Sequence, residues 1–558
     1  MKIGIFLGYS HKTTLSTEGL GRLLGKMCEA FLKGSNSLVI ACPNWLTPKL
    51  EELFNDMKID TKNMSLVTVK SPALLFIASL YEKFHVQKKR RDKKGLRNIA
   101  GSALFEFTAN MLSMGNAFAF CLIAIMLFVL AIVLLPVAII LLLLYLLFYM
   151  SRFIIRTPKN AILKQLSIAS ALNVIKYIFN FSGSFVDNFA SKIYERVHSK
   201  TMERLAIKIN HTCCADVWLA TNLLWPAFDS IKVTKVRVAP DLVTVPFAEG
   251  FSILAPAKYT DDIKKTIQNG QYFITYSCFI RDTLLVNDFG KKCGALRVIP
   301  HANNNLLHHI DIYSNTRHLK YPSHVNVKYA RFLTYMSGIS QREYPWGWVN
   351  DYMCCLKWED TRYIFYASQN RPSKNIVSLI KAYEYVLRRK YKQVKLVLTA
   401  NPMGHIPVYN YVTEKNLQFD VIFMHGVSEA QLAGLYAGAE LVVNPTLYEG
   451  GFPFTFAEGM SVGTPSVMGR IPQTLEGFEG YDCDEFLFDP HDWLDIADKI
   501  CFGLDNREYL HDKQLPIYEK MNKRTWETVA NEYVDAFKYF MNMDVEKTRD
   551  ARSTLNNE

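Results

Sequence analysis

The sequence predicts an α/β protein of two doubly wound domains, the first carrying an apolar helical insert, and three observations carry that prediction. Short apolar runs alternate with helical patterns along both halves of the 558 residues. A stretch at 336–360, "MSGISQREYPWGWVNDYMCCLKWED", interrupts the alternation. Between 117 and 150 the chain holds 34 residues without a charge. At this length one core is excluded, because domains run to roughly 100–200 residues.

The elements follow in order. "KIGIFLG" and "SLVIACP" read as strands enclosing the helical pattern "EGLGRLLGKMCEAFL". "DVWLATN", "KVRVAPDLV", "QYFITYSCF" and "ALRVIPHA" continue the first domain, which is expected over 1–80 and 206–335. After the linker at 336–361, "RYIFYASQ", "VKLVLTAN", "FDVIFMHG", "AELVVNP" and "TPSVMG" supply the strands of a second domain at 362–540, followed by a tail at 541–558. Their apolar character on both faces is that of parallel strands covered by helices on each side.

The insert is expected at 81–205. "AFAFCLIAIMLFVLAIVLLPVAIILLLLYLLFYM" (117–150) would measure about 51 Å as one straight helix, against roughly 30 Å of bilayer hydrocarbon. Pro136 near its middle favours a break. Basic residues flank both ends, in "KKRRDKKGLR" at 88–97 and at Arg152, Arg156, Lys159 and Lys164, which places both ends on the cytoplasmic side and favours a membrane-embedded hairpin. One domain split around this segment also cannot fold on two sides of a membrane. "FASKIYERVHSKTMERLAIKI" and the similar pattern before it suit helices lying on the headgroups, or ordinary amphipathic helices packed on a core.

The net charge is +12, from 64 basic and 52 acidic residues, and calls for an anionic partner. Because the densest basic run precedes the apolar segment, anionic lipid is expected and nucleic acid is not. The chain opens "MKIGIFLGYS" without the pattern of a secretory leader. Its eleven cysteines are scattered without a CxxC, which is reduced, cytosolic usage with neither a zinc nor a disulfide framework.

Three stretches can carry chemistry. "ASQNRPSKNIVSLIKAYEYVLRR" opens a helix after a strand, with Pro372 at its first position and Arg371 and Lys374 in its first turn. Cations there oppose the helix dipole and make sense when they share an external anion such as a pyrophosphate, or else form a solvated basic turn. "STEGLGRLLG" supplies Gly19 and Gly21 at the first strand–helix turn, without a dinucleotide fingerprint. "NPTLYEGGFPFTFAEGMSVGTPSV" carries Glu449 and Glu458 around Gly450 and Gly451; taken alone, these carboxylates read equally as surface acids.

In order, the "R-x-x-K-N" turn, "HGVSEAQLAGLYAGAELVVNP", "YEGGFPFTFAEGMSVGTPSV" and "FLFDPHD" resemble the retaining glycosyltransferases of family 4. The resemblance is strong over 362–540, weak over 1–80 and 206–335, and absent from the insert. It implies a GT-B architecture, two Rossmann-like domains facing a cleft, with a nucleotide-diphosphate sugar held mainly by the second. It also implies that Arg371 and Lys374 bind the pyrophosphate, that Glu449 with Gly450 and Gly451 contacts the donor sugar, and that Glu458 holds the ribose. Gly426 and Val427 would touch the base, and Gly19 and Gly21 would lie near the phosphates. The resemblance implies no protein nucleophile and no cofactor; Arg371, Lys374 and the helix terminus could support the departing diphosphate without a metal.

This sequence departs from the family pattern by placing eight residues between Glu449 and Glu458 where seven are usual. Either the glycine loop carries one more residue or the sugar contact is displaced. The family's cleft histidine has no clear counterpart; His301 and His11 are candidates. "DCD" at 482–484 has the form of a metal-binding D-x-D but falls in an expected surface turn. The expected function is a membrane-associated retaining glycosyltransferase with cytoplasmic catalytic domains. It would transfer a sugar to a lipid-linked or glycan acceptor in polysaccharide or glycolipid synthesis. The alternatives are a catalytically silent scaffold of the same fold in a glycan assembly complex, or an epimerase or phosphorylase.

Overall fold

The structure is a computed structural model that describes residues 1–11, 13, 15, 19–70, 194–241, 243, 257–310, 324–341 and 350–555. The expected membrane hairpin at 117–150 and its basic flanks lie outside the described residues. Among the described residues no helix is long and apolar enough to cross a membrane.

Each domain is built on a parallel sheet whose inner strands are buried along most of their length. In the first, β1 (Lys2–Phe6), β2 (Ser37–Pro43), β3 (Met64–Val69), β4 (Val217–Ala220), β5 (Lys235–Ala239), β6 (Tyr272–Thr275) and β7 (Leu296–Val298) lie in the order β3-β2-β1-β4-β5-β6-β7. In the second, β8 (Tyr363–Tyr366), β9 (Lys395–Leu398), β10 (Val421–Phe423), β11 (Leu441–Asn444), β12 (Ser466–Gly469) and β13 (Leu487–Phe488) lie in the order β10-β9-β8-β11-β12-β13. Both orders reverse beside their first strand, with Ile3 opposite Val217 at β1–β4 and Ile364 opposite Leu441 at β8–β11. Such reversals open a crevice at the strand carboxyl ends, where doubly wound folds bind their ligands. The two-domain GT-B architecture expected from the motifs is therefore the observed one.

Helices cover both sheets. α1 (Gly19–Lys33) follows β1 and packs Leu24, Cys28 and Phe31 into the first core. The helix at 194–212, α2, buries Val197, Met202, Leu205 and Ile209. A headgroup-bound reading of that stretch gives way to a core helix, so the first domain resumes by 194. Similarly, α3 (His324–Ser340) places Ala330 and Leu333 in a cluster with Tyr363 and Phe365 of the second domain.

In the second domain the helices that matter for the site are α4 (Ile376–Arg388), α5 (Glu429–Gly438), α6 (Phe454–Ser461) and α7 (Pro472–Gly477). Ser428 caps α5, accepting from the Gln431 amide while Gln431 accepts from the Ser428 amide.

The chain then returns. α8 (Trp526–Leu555) buries Val529, Tyr533, Phe537 and Phe540 in the first domain's core, so the expected division into a domain ending at 540 and a tail gives way to one continuous crossing helix. Its anchor is Asp544, which accepts from the Tyr272 hydroxyl at 2.6 Å, from Gln271 at 2.7 Å and from Thr234 at 2.7 Å. Asp544→Ala strands three donors at once. It is expected to lower unfolding free energy by about 2–4 kcal/mol, on the scale of hydrogen bonds to a charged group, as read from the midpoint of urea denaturation.

Candidate functional site

The carboxyl ends of β8 and β11 present the residues singled out in the sequence. After β8, Arg371 is extended and Pro372–Lys374 form a 3-10 turn; Asn375 is left-handed at φ 56°, and α4 begins only at Ile376. Arg371 and Lys374 thus stand in a turn before the helix, not in its first turn as expected. Asn375 fixes that turn by donating to the carbonyls of Pro445 at 3.1 Å and Pro490 at 2.6 Å, one beyond β11 and one beyond β13. Lys374 is in turn ion-paired with Glu449, and both are largely buried.

Gly450 and Gly451 follow. A Cβ at Gly450 would overlap the Pro240 carbonyl of the first domain, and one at Gly451 would lie 2.8 Å from the Tyr276 Cβ. The close approach these glycines permit is therefore between domains. Ser277 Oγ donates to the Gly450 carbonyl at 2.9 Å, and Glu476 of α7 accepts from the amides of Cys278 at 2.8 Å and Phe279 at 3.4 Å. The latter carboxylate satisfies otherwise unpaired helix-terminal amides of the facing domain.

Asp241, next to Pro240, was not anticipated from the sequence. Its Cβ is 3.2 Å from the Cβ position of Gly450, and the residue is exposed. Loss of solvation raises its pKa; Lys374 and Arg371 oppose the rise and Glu449 adds to it. The first domain therefore contributes a carboxyl group to the same pocket of charge.

Glu458 lies on α6 with 8% of its surface exposed. It accepts from Asn304 at 3.1 Å and from the Tyr436 hydroxyl at 2.8 Å, and burial raises its pKa. These contacts leave acceptor capacity on its oxygens. Between Glu449 and Glu458 the chain runs as a loop through 450–453 before Pro453 precedes α6.

On the other side, Gly426 takes a positive φ of 70°, and the Val427 carbonyl accepts from Arg22 at 3.5 Å. Arg22 also lies 3.9 Å from Glu429, which His309 approaches at 3.4 Å, and hydrogen bonding to His309 holds Glu429 down near a pKa of about 2. Gly19 opens α1. At Gly21 a Cβ would overlap the Leu15 carbonyl, so that glycine serves its own turn and lets Arg22 reach across.

The two histidine candidates separate. His301 stacks on Phe454 at 3.9 Å, beside Gly451, and burial lowers its pKa to about 4. It is neutral when folded, whereas an unfolded histidine titrates near 6.5. Stability from this group is therefore complete above about pH 6.5 and lost as pH falls toward 4, by an amount on the order of 1–3 kcal/mol. His301→Gln is expected to flatten that part of the stability–pH curve measured by denaturant titration. His11 lies outside this group, against Tyr194 at 5.0 Å.

Asp482 and Asp484 sit at the surface, paired with Lys513 at 3.1 Å and Arg470 at 2.5 Å. Lys374, Arg371, Glu449, Gly450, Gly451, Asp241 and His301 come together; Glu458, Gly426, Val427, Gly21 and Arg22 form a second group along the cleft. Arg22 and Asn304 carried no sequence signal beyond polarity. Asn375 was visible as the last letter of the R-x-x-K-N turn.

Residues 356–520 match the family described as "Glycosyl transferases group 1". Among curated relatives, an uncharacterized glycosyltransferase of Methanocaldococcus jannaschii is 26% identical over 33% of this chain and 47% of its own length. A lipopolysaccharide 1,2-N-acetylglucosaminetransferase of Salmonella typhimurium is 28% identical over 32% of this chain and 49% of its own. An O-antigen chain mannosyltransferase B of Escherichia coli is 25% identical over 33% and 47%. The matches span about half the length of these relatives. Among solved structures, sucrose-phosphate synthase of Thermosynechococcus elongatus aligns with a TM-score of 0.51 at 13% identity, covering 97% of this chain and 99% of that one. Anabaena HepE with UDP and glucose aligns at 0.52 and 12% identity, covering 96% and 99%. The fold of the described residues is thus shared with these structures, and the glycosyltransferase resemblance read from the motifs is borne out.

Proposed function

We propose that this chain transfers a sugar, with retention of anomeric configuration and without a metal, from a nucleotide-diphosphate donor to a glycan or lipid-linked acceptor. The single observation that carries this reading is the Arg371 and Lys374 turn at the switch point of the second sheet, with Lys374 held by Glu449. Breaking the anomeric C–O bond leaves negative charge on a diphosphate and positive charge on the ring. Preorganised cations lower that barrier most where water is excluded.

The reaction balances as follows. The acceptor oxygen bonds to the anomeric carbon, the bond to the diphosphate breaks, and the acceptor proton passes to the departing phosphate oxygen. A donor diphosphate competes with Glu449 for Lys374, and the released carboxylate can then accept from sugar hydroxyls. Glu458 keeps acceptor capacity for ribose hydroxyls.

The named relatives from Salmonella typhimurium and Escherichia coli act on lipopolysaccharide and O-antigen, which supports an envelope glycan or glycolipid as acceptor. Membrane association, with the catalytic domains cytoplasmic, is supported by the uncharged segment at 117–150 and its basic flanks. The opposing reading, a silent scaffold, draws on the eight-residue glutamate spacing and predicts nucleotide binding without turnover.

Detergent-solubilised protein offered UDP-glucose, UDP-N-acetylglucosamine and GDP-mannose is expected to hydrolyse or transfer from one of them, and Arg371→Ala and Glu458→Ala are expected to slow it. No turnover, or turnover unchanged by both substitutions, would remove the enzyme reading.

A further inference from the structure

The far ends of β8 and β11 carry a second set of cations, away from the Arg371 and Lys374 turn. A cavity of about 320 Å³ opens at their amino-terminal ends, between α3, the segment entering β8 and the turn from α5 into β11. Arg331, Arg362 and Arg507 line it. Glu440 anchors two of them. Arg362 Nε donates to Glu440 Oε1 at 3.0 Å, and Arg507 Nε donates to the Glu440 carbonyl at 3.0 Å and lies 4.0 Å from Oε2. Both guanidinium groups are therefore held through Nε, and among the described residues their terminal nitrogens have no acceptor. Arg331, exposed on α3, has no acid partner among the described residues.

Two further features call for an anion. Arg507 is the first residue of the helix Arg507–Asn522, and the Asn506 side chain gives that helix no cap. Uncapped amides and the helix dipole favour negative charge where the chain has placed a cation. Trp358, in the cavity wall with 5% exposure, has an indole N–H without an acceptor. A buried donor in that state is destabilising until an acceptor reaches it.

We propose that this cavity binds a polyhydroxylated phosphate monoester, at a site separate from that of the donor. Planar guanidinium groups match phosphate oxygens in pairs, and Arg362 and Arg507 are held ready on one carboxylate-bearing residue. The volume sits at the lower end of small-molecule pockets and exceeds what a lone phosphate ion fills. Glu359 and Asp360, exposed in the same wall, accept from hydroxyl groups on the body of the ester. The bound phosphate ties α3 to the starts of β8 and of the helix at Arg507, while the donor group lies at the other ends of the strands.

Calorimetric titration of the full chain in detergent, with ribose 5-phosphate and with inorganic phosphate as probes, tests this. The wild type is expected to bind one ribose 5-phosphate, more tightly than inorganic phosphate. Arg331→Ala and Arg362→Ala change exposed side chains and should keep the wild-type melting temperature. Each is expected to weaken the ester about tenfold or more, the loss of one hydrogen bond to a charged group. Lys374→Ala should leave this binding within about twofold, which separates the cavity from the donor turn. No saturable binding of either probe, or equal binding in the two arginine variants, overturns the site. Equal affinity for the two probes overturns the assignment of an ester, and loss of binding in Lys374→Ala alone assigns the ester to the donor turn and overturns the cavity. None of these outcomes depends on the transferase reading.

Discussion

Lys374→Ala is expected to lower kcat/KM for the nucleotide sugar by about 100- to 1,000-fold, the range for deleting one preorganised group that meets developing negative charge. Lys374 is held by Glu449 on the loop after β11, so its ammonium does not have to be collected from solvent when the donor arrives. The substitution also leaves Glu449 without its counter-charge beside Asp241, which adds repulsion against a diphosphate. Lys374→Arg keeps the charge but changes the donor geometry and is expected to recover only part of the rate. The fall should appear chiefly in kcat, since the interaction strengthens as the diphosphate departs. A change of less than about threefold, with an unaltered melting temperature, contradicts a role for this cation at the reacting centre.

Gly450→Ala is expected to reduce transfer by about 100-fold, the cost of displacing reacting groups by roughly an ångström. In an ordinary exposed loop the same change is neutral or stabilising, because alanine restricts the unfolded chain. Here the new methyl group would overlap the Pro240 carbonyl, and the domains must part to admit it. Parting also breaks the Ser277 contact to the Gly450 carbonyl and pulls Glu476 from the amides of Cys278 and Phe279. Solution scattering should report a larger radius of gyration for the variant. Wild-type rate with wild-type dimensions contradicts the contact.

Much of this was legible in the sequence because parallel strands buried on both faces leave continuous apolar runs such as "YIFY" and "LVVN". β3 and β13 escaped notice. The first is an edge strand with two exposed residues, Ser65 and Leu66, and none buried, and the second is only two residues long. The two readings of 189–209, headgroup helix or core helix, stayed open in the sequence because both share the same periodicity and only the partner surface, a core over 194–212, distinguishes them. The crossing of α8 was hidden for a related reason: nothing in the sequence near Asp544 says that Tyr272, Gln271 and Thr234 are its partners.

The site divided in the same way. Arg371, Lys374 and Glu449 were legible because like charges in a turn and a carboxylate after a strand are locally odd. Asp241 and Arg22 were not, since their meaning comes from a facing domain more than a hundred residues away along the chain. Gly450 and Gly451 gained a contact with no sequence signal: the space they keep clear is occupied by Pro240 and Tyr276.

The central claim is that the Arg371 and Lys374 turn holds the diphosphate of a nucleotide sugar. Calorimetric titration of UDP and GDP into the wild type and into Arg371→Ala and Lys374→Ala tests it directly. One nucleotide is expected to bind the wild type, and each substitution is expected to weaken it about 10- to 150-fold, the equivalent of one charge-assisted hydrogen bond. Binding of equal strength in all three proteins, or none in the wild type, would contradict the account.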